Sequence, residues 1–134
     1  MAFATRRLPD TPDVVAPDGS DVRLLGALAG GSMAHFTLAP GQVSRAVAHR
    51  TVEEIWFVLS GRGEMWRKLG AREEIVGLEP GVSLTLPRGT AFQFRALGPE
   101  ALAALAITMP PWPGADEAYA VDGAWPATVG RPVV

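Results

Sequence analysis

The chain has 134 residues, a formal net charge of −2 and no cysteine. This length predicts one domain, and the lack of cysteine excludes disulfides and thiolate metal sites. The slightly acidic balance gives no positive field for nucleic acid, so we expect no nucleic-acid partner. The N-terminal Arg pair has no apolar stretch behind it, and the longest apolar run is about half a membrane span. We therefore expect a soluble cytoplasmic protein without a membrane partner.

Short apolar runs separated by Gly and Pro follow one another from residue 22 to residue 109. Turns at such short, regular spacing are typical of an antiparallel sandwich or barrel. The predicted strands cover residues 22–28, 32–38, 44–50, 54–59, 64–69, 73–78, 82–86, 90–97 and 101–109. The last run is rich in helix formers, but Pro99 and Pro110 leave it too short for a stable helix, so we predict a buried strand.

The two ends of the chain differ from this pattern. Residues 1–21 contain three prolines and no apolar period, which predicts an extended arm, either crossing to a second subunit or lying over its own domain. Residues 110–134 form a second arm that holds Trp112 and Trp125 beside prolines. Because each indole carries a large apolar area, we expect this arm to pack on the domain or across a dimer, with a mobile lid over a pocket as the alternative.

A stretch framed by Gly41 and Gly61 carries the first part of the functional signal. His49 lies eight residues after the first glycine, and Glu54 follows five residues later, at the join between two predicted strands. A His and a carboxylate brought together are candidates for acid–base chemistry or for metal ligation. The glycines themselves suit tight corners between short strands.

A second stretch has Gly81, Pro87 and Gly89 in the spacing G(X)5PXG. With the first stretch, it resembles the two motifs of the cupins, G(X)5HXH(X)3–4E(X)6G and G(X)5PXG(X)2H(X)3N. The resemblance implies an all-β double-stranded β-helix, a jelly-roll barrel over residues 22–109 with extended N- and C-terminal arms. It also implies a homodimer, paired through sheet edges and terminal arms.

The resemblance further implies a metal site, which this sequence changes. In metal-bearing cupins, three His and one Glu converge on a divalent ion, but Val47 and Phe92 occupy two of those four positions here. Since catalytic zinc sites use about three protein ligands, we expect no metal at full occupancy. If Fe, Mn, Ni or Zn binds weakly, its ligands are His49 and Glu54, with His35 as a possible third.

Strand alternation extends the candidate site beyond the His–Glu pair. The predicted small-molecule pocket is lined by Arg45, Val47, His49, Glu54, Trp56, Phe92 and Phe94. The aromatic rings would suit a flat ligand, or they simply fill a small barrel. The Arg45 guanidinium either enters the barrel mouth, where it could hold an anionic ligand, or stays in solvent.

Three functions stay open from the sequence. The first is a binding barrel with a degenerate metal site. The second is a metal-free isomerase or epimerase with His49 and Glu54 as catalytic residues. The third is a metal-dependent cupin enzyme, such as a dioxygenase or isomerase, with an unconventional third ligand.

Overall fold

The computed structural model describes residues 2–129. Within them the chain forms eleven strands and one turn of 3-10 helix, Ala115–Glu117. The strands are β1 Val14–Val15, β2 Asp21–Leu28, β3 Gly31–Leu38, β4 Val47–His49, β5 Glu53–Ser60, β6 Gly63–Leu69, β7 Arg72–Leu78, β8 Ser83–Leu86, β9 Ala91–Ala96, β10 Leu102–Met109 and β11 Ala118–Ala120. No helix within these residues is long and apolar enough to cross a membrane.

The strands form two facing antiparallel sheets. One has the order β1-β2-β3-β10-β5-β8, and the other has the order β11-β4-β9-β6-β7. Large side chains from both inner faces fill the space between the sheets, led by Trp56, Phe92 and Phe94, each 1 % exposed. This arrangement confirms the predicted all-β jelly-roll barrel.

Every predicted strand exists, including β10, which pairs with both β3 and β5. The prediction was wrong in extent at residues 44–50, where only Val47–His49 is a strand. The reason is that the backbone N–H of Arg45 donates to the carbonyl of Asp18 in the N-terminal arm rather than to a neighbouring strand. Sequence also missed β1 and β11, which lie in the two arms and pair with β2 and β4.

One glycine of the motifs has a direct steric reason. Gly61 adopts φ 79°, in the left-handed region, between β5 and β6. A Cβ there would collide with the backbone of Ala101 and Leu102. Only glycine fits both the conformation and the close approach to the start of β10.

The described part of the C-terminal arm lies along the five-stranded sheet. Gln93, 1 % exposed, points out of the barrel and holds this arm in place. Its amide group donates to the carbonyls of Ser44 and Trp125 and accepts from the N–H groups of Ala124 and Trp125. The Arg95 guanidinium lies over the Trp125 ring, with its central carbon 4.2 Å from the ring centroid.

Candidate functional site

The four positions of the metal motif converge at one end of the barrel. Val47 on β4 is the register partner of Phe92 on β9, and both side chains are buried. His49, two residues along β4, contacts the Phe92 ring edge-on at 5.2 Å between centroids. Glu54, at the start of β5, meets His49 from the other sheet. Strand pairing thus places side chains distant in sequence around one point.

The His49–Glu54 pair is the polar centre of this point. The His49 Nδ1 lies 3.5 Å from Oε1 of Glu54, and the two residues are 7 % and 4 % exposed. The other carboxyl oxygen lies 3.5 Å from the Thr108 hydroxyl on β10. Both distances are long for hydrogen bonds, so the carboxyl is only weakly stabilised by its neighbours.

Burial keeps this pair neutral. It raises the pKa of Glu54 to about 8, with the Asp18 charge adding to the rise, while hydrogen bonding from Trp56 and Thr108 opposes it. Burial lowers the pKa of His49 to about 4, although the Glu117 charge acts in the opposite direction. Desolvation exceeds the mutual attraction of the two charged forms because both groups lie away from water. At neutral pH, Glu54 therefore carries a proton and His49 is uncharged.

Aromatic rings surround the pair on the inner side. Trp56 packs edge-on to Phe94 at 5.0 Å and stacks on Phe36 at 5.4 Å. Its indole N–H is close enough to Glu54 to lower the pKa of that group. It makes no hydrogen bond of ordinary geometry to any described residue. The site thus contains one buried donor without a full partner, which is uncommon in a folded protein.

Trp112, from the C-terminal arm, covers the pair on the outer side. Its ring lies edge-on to His49 at 5.1 Å, and its backbone N–H donates to the Ser32 hydroxyl. The indole is partly exposed, so His49 lies one side chain below the surface. The composition of the C-terminal arm predicted that Trp112 packs on the domain or across a dimer, but it did not indicate the contact with His49.

A second residue of the same arm organises the site and was missed from sequence. The Glu117 carboxylate accepts hydrogen bonds from the Thr51 hydroxyl, the Thr51 N–H at 2.5 Å and the Val52 N–H at 3.2 Å. Burial alone would raise the pKa of Glu117, but these bonds lower it. The Thr51–Val52 turn joins the strands that carry His49 and Glu54, so Glu117 fixes the connection between them. No short-range pattern in the sequence signals this contact.

Two candidates lie away from the pair. Arg45 reaches the N-terminal arm, where its guanidinium lies 3.5 Å from the Pro17 carbonyl. Burial raises the pKa of Asp18 in this arm, and the charge of Arg45 opposes part of that rise. His35 is the register partner of Leu105, which in turn pairs with Phe57, an exposed residue on the outside of the sheet. His35 therefore lies on the opposite face of the sheet from Glu54.

The residues present do not fit the metal ion of metal-bearing cupins. Two donors, His49 and Glu54, remain where about three protein ligands are needed. Among residues 2–129, no three His, Cys, Asp or Glu side chains are placed to share an ion. Val47 and Phe92 fill the other two ligand positions with apolar groups.

The predicted pocket residues are packed rather than spread around a void. Val47, His49, Glu54, Trp56, Phe92 and Phe94 are each at most 7 % exposed. Surface clefts of about 540 and 350 Å³ lie elsewhere, the first beside Arg62 and Val82 and the second beside Arg67 and Thr90. Access to the pair therefore requires a side chain to move.

Comparison with known proteins identifies the family of this chain. The sequence profile of the cupin domain matches residues 34–108, more than half of the chain. The chain belongs to the cupin family. The match runs from within β3 to within β10 and includes the strands that carry His49 and Glu54, while both terminal arms lie outside it. No curated protein matches this cupin significantly.

Solved structures share the fold at low sequence identity. A Klebsiella pneumoniae protein with a double-stranded β-helix domain is 15 % identical, with a TM-score of 0.63 over 91 % of this chain and 97 % of its own. The CENP-C domain of Drosophila melanogaster is 15 % identical, with a TM-score of 0.62 over 68 % and 67 % of the two chains. CapF, a capsular polysaccharide assembling protein from Staphylococcus aureus, is 17 % identical, with a TM-score of 0.67 over 79 % of this cupin. This cupin spans only 33 % of CapF.

Proposed function

We propose that this cupin binds a small, flat, uncharged molecule at the His49–Glu54 pair, with Trp112 moving aside to admit it. The observation that carries the proposal is the Trp112 ring lying on His49 at 5.1 Å. An aromatic ring supplied by a terminal arm occupies the place that a flat ligand would take. Displacing it would not break the barrel, because the arm is also held at Gln93 and Glu117.

The polar groups define the ligand. Protonated Glu54 offers a hydrogen-bond donor, neutral His49 offers an acceptor, and the Trp56 N–H is a further donor without a full partner. An uncharged group such as an amide, with both donor and acceptor atoms, matches this set. A charged ligand would lose its hydration without an opposite charge to replace it. Phe92, edge-on to His49, supplies an apolar contact beside these polar groups.

Removing the Trp112 ring is expected to open the site. Benzamide, a flat ring with a neutral amide, is expected to bind Trp112→Ala at least about tenfold more tightly than wild type, because no ring must be displaced. Isothermal titration calorimetry at pH 7 measures the difference.

The matched control is Trp125→Ala, which removes a Trp of the same arm that packs on Arg95 instead. It is expected to leave benzamide binding at the wild-type level. Adding His49→Ala to Trp112→Ala should abolish the gain. If neither Trp variant binds benzamide, or if both gain equally, Trp112 does not cover a ligand site at the pair.

A proton-transfer enzyme without a metal is the second candidate, favoured by the neutral pair itself. His49 would remove a proton from the substrate, Glu54 would return one at a neighbouring atom, and the two groups would then exchange a proton directly across their contact. An isomerisation or epimerisation by this route returns His49 and Glu54 to their starting protonation states. Glu54→Gln distinguishes the binding protein from the enzyme, because the amide can still hydrogen-bond but cannot supply the proton. A variant that binds the substrate without turning it over supports the enzyme.

We also propose that this cupin functions without a resident metal, because its donor set is two side chains short of the family pattern. Restoring both donors with Val47→His and Phe92→His is expected to convert weak uptake of Zn²⁺ into binding of about one ion per chain. Val47 and Phe92 are register partners beside His49, so the new imidazoles would face the same point. Elemental analysis after dialysis against Zn²⁺ measures the change. A stoichiometric metal in the wild-type protein would contradict the proposal.

A cytoplasmic location is part of the same proposal. The sequence contains no cysteine, which is compatible with a reducing compartment.

A further inference from the structure

The cleft of about 350 Å³ beside Arg67 lies along the seam between the two sheets. β8 ends the six-stranded sheet and β7 ends the five-stranded sheet. Arg67 of β6 bridges the two: its guanidinium donates to the carbonyl of Thr85 on β8 at 2.8 Å and to the carboxylate of Glu74 on β7 at 2.6 Å. The wall of the cleft therefore contains an arginine that both sheets hold in place.

Two buried donors belong to side chains that line this cleft and have no partner within residues 2–129. One is the Nε–H of Arg67, and the other is the hydroxyl of Thr90, a residue that is 4 % exposed. Roughly nine in ten buried polar groups are hydrogen-bonded in folded proteins. Because two exceptions occur at one cleft, they point to an acceptor that comes from outside the chain.

Glu74 uses only part of the donor fork of Arg67. Its Oε1 accepts from the terminal nitrogen Nη2, while the Nε–H is left without an acceptor. A carboxylate that lies side-on to a guanidinium accepts from Nε and a terminal nitrogen together, which adds a second charge-assisted bond and a fixed orientation. The side chain of Glu74 is 41 % exposed, so it can turn into solvent and leave this position to a ligand.

The charge and size of the cleft suit a small organic acid. Its charged lining residues are Arg67, Arg72 and Glu74, so it has one net positive charge. This charge balances one carboxylate but only half of a phosphate dianion. Leu69, which is 45 % exposed, and Pro87 add apolar surface for the body of the ligand. A volume of about 350 Å³ lies near the lower end of the range for small-molecule sites, about 300–1,000 Å³.

We propose that this cleft is a second ligand site, which binds a small organic acid through its carboxylate. The carboxylate takes the place of Glu74 on the Nε and Nη2 atoms of Arg67 and accepts a further hydrogen bond from the Thr90 hydroxyl. Its donors are different residues from the His49–Glu54 pair, and its ligand is charged. Either proposal can therefore fail while the other holds.

Benzoate is the probe for this site, and benzamide is its uncharged counterpart. Titration of the full chain at pH 7, followed by 15N NMR, measures binding through the signals of the Arg67 Nε–H and the Thr90 backbone N–H. Benzoate is expected to shift both signals saturably in wild type. It is expected to bind there at least about tenfold more tightly than benzamide, because only the carboxylate forms charge-assisted bonds with the guanidinium.

Two variants test the roles of individual residues. Glu74→Gln is expected to tighten benzoate binding at least about fivefold, because the ligand no longer competes with a carboxylate. Thr90→Val removes a hydroxyl that has no partner within residues 2–129, and it is expected to weaken benzoate binding about tenfold. Glu79→Gln is the matched control, since Glu79 pairs with Arg62 at the other cleft and its loss changes the net charge equally. It should leave benzoate binding at the wild-type level.

Several results would overturn the proposal. One is the absence of saturable benzoate shifts at Arg67 and Thr90 in both wild type and Glu74→Gln. Equal gains in Glu74→Gln and Glu79→Gln would show a general effect of net charge instead of a site. Unchanged affinity in Thr90→Val would remove the hydroxyl from the site. Tighter binding of benzamide or inorganic phosphate than of benzoate at the same signals would contradict recognition of a carboxylate.

Discussion

Glu54→Gln is expected to raise the free energy of unfolding by about 2–3 kcal/mol at pH 8. The wild-type carboxyl has a pKa of about 8 in the folded protein and an ordinary value near 4.5 when unfolded. A difference of this size corresponds to at most about 5 kcal/mol at 1.4 kcal/mol per pKa unit, and relaxation around a buried site reduces it. The amide has the same shape and cannot ionise, so the variant avoids this cost.

The pH dependence has a definite sign. Between pH 4.5 and pH 8, the unfolded Glu54 releases a proton that the folded protein keeps, so stability falls as pH rises. His49 acts oppositely, because its folded pKa is lowered to about 4, and stability falls as pH drops below 6.5. The two effects offset each other between about pH 4.5 and 6.5, and the loss from Glu54 is unopposed from pH 6.5 to pH 8.

Urea unfolding of wild type and Glu54→Gln at pH 5.5, 6.5, 7.5 and 8.5 tests this account. The gain from the substitution should grow with pH across the series. Glu53→Gln is the matched control, since Glu53 is the exposed neighbour on the same strand, and it should change stability by less than about 0.5 kcal/mol. A Glu54→Gln variant that is less stable than wild type at every pH would show that Glu54 is ionised and paired with a charged His49.

Glu117→Ala is expected to lower the free energy of unfolding by about 3 kcal/mol. The substitution removes three hydrogen bonds to a carboxylate and leaves the N–H of buried Val52 without its acceptor. Charge-assisted bonds of this kind contribute more than neutral ones, and an unsatisfied buried donor adds a cost of its own. Urea unfolding at pH 6, where Glu117 is ionised, measures the loss.

Asp116→Ala is the control, because Asp116 is exposed and contacts Arg50 only through its backbone carbonyl. A second readout separates positioning of the site from stability alone. The Glu117 charge raises the pKa of His49, so Glu117→Gln should lower the pKa of His49 further, as measured by NMR. If the His49 titration is unchanged in Glu117→Gln, the carboxylate acts on the turn and not on the site.

The spacing of Gly and Pro predicted the barrel because turn geometry is a local property. A left-handed residue such as Gly61 marks a corner wherever the rest of the chain lies, and the runs between such corners can only be short strands. The same locality explains the one error of extent, at residues 44–50. There the N–H of Arg45 pairs with Asp18 of the N-terminal arm, a partner that the neighbouring sequence does not reveal.

The sequence by itself determined the all-β class, the family resemblance and the loss of two metal donors at Val47 and Phe92. Each of these follows from residue types at fixed local spacing. Only the tertiary structure decided that Trp112 covers His49 and that Glu117 holds the turn before Glu54, since Glu117 and Thr51 are 66 residues apart. It also decided the charge state of the pair, because a pKa depends on burial, and burial is a property of the whole packed barrel.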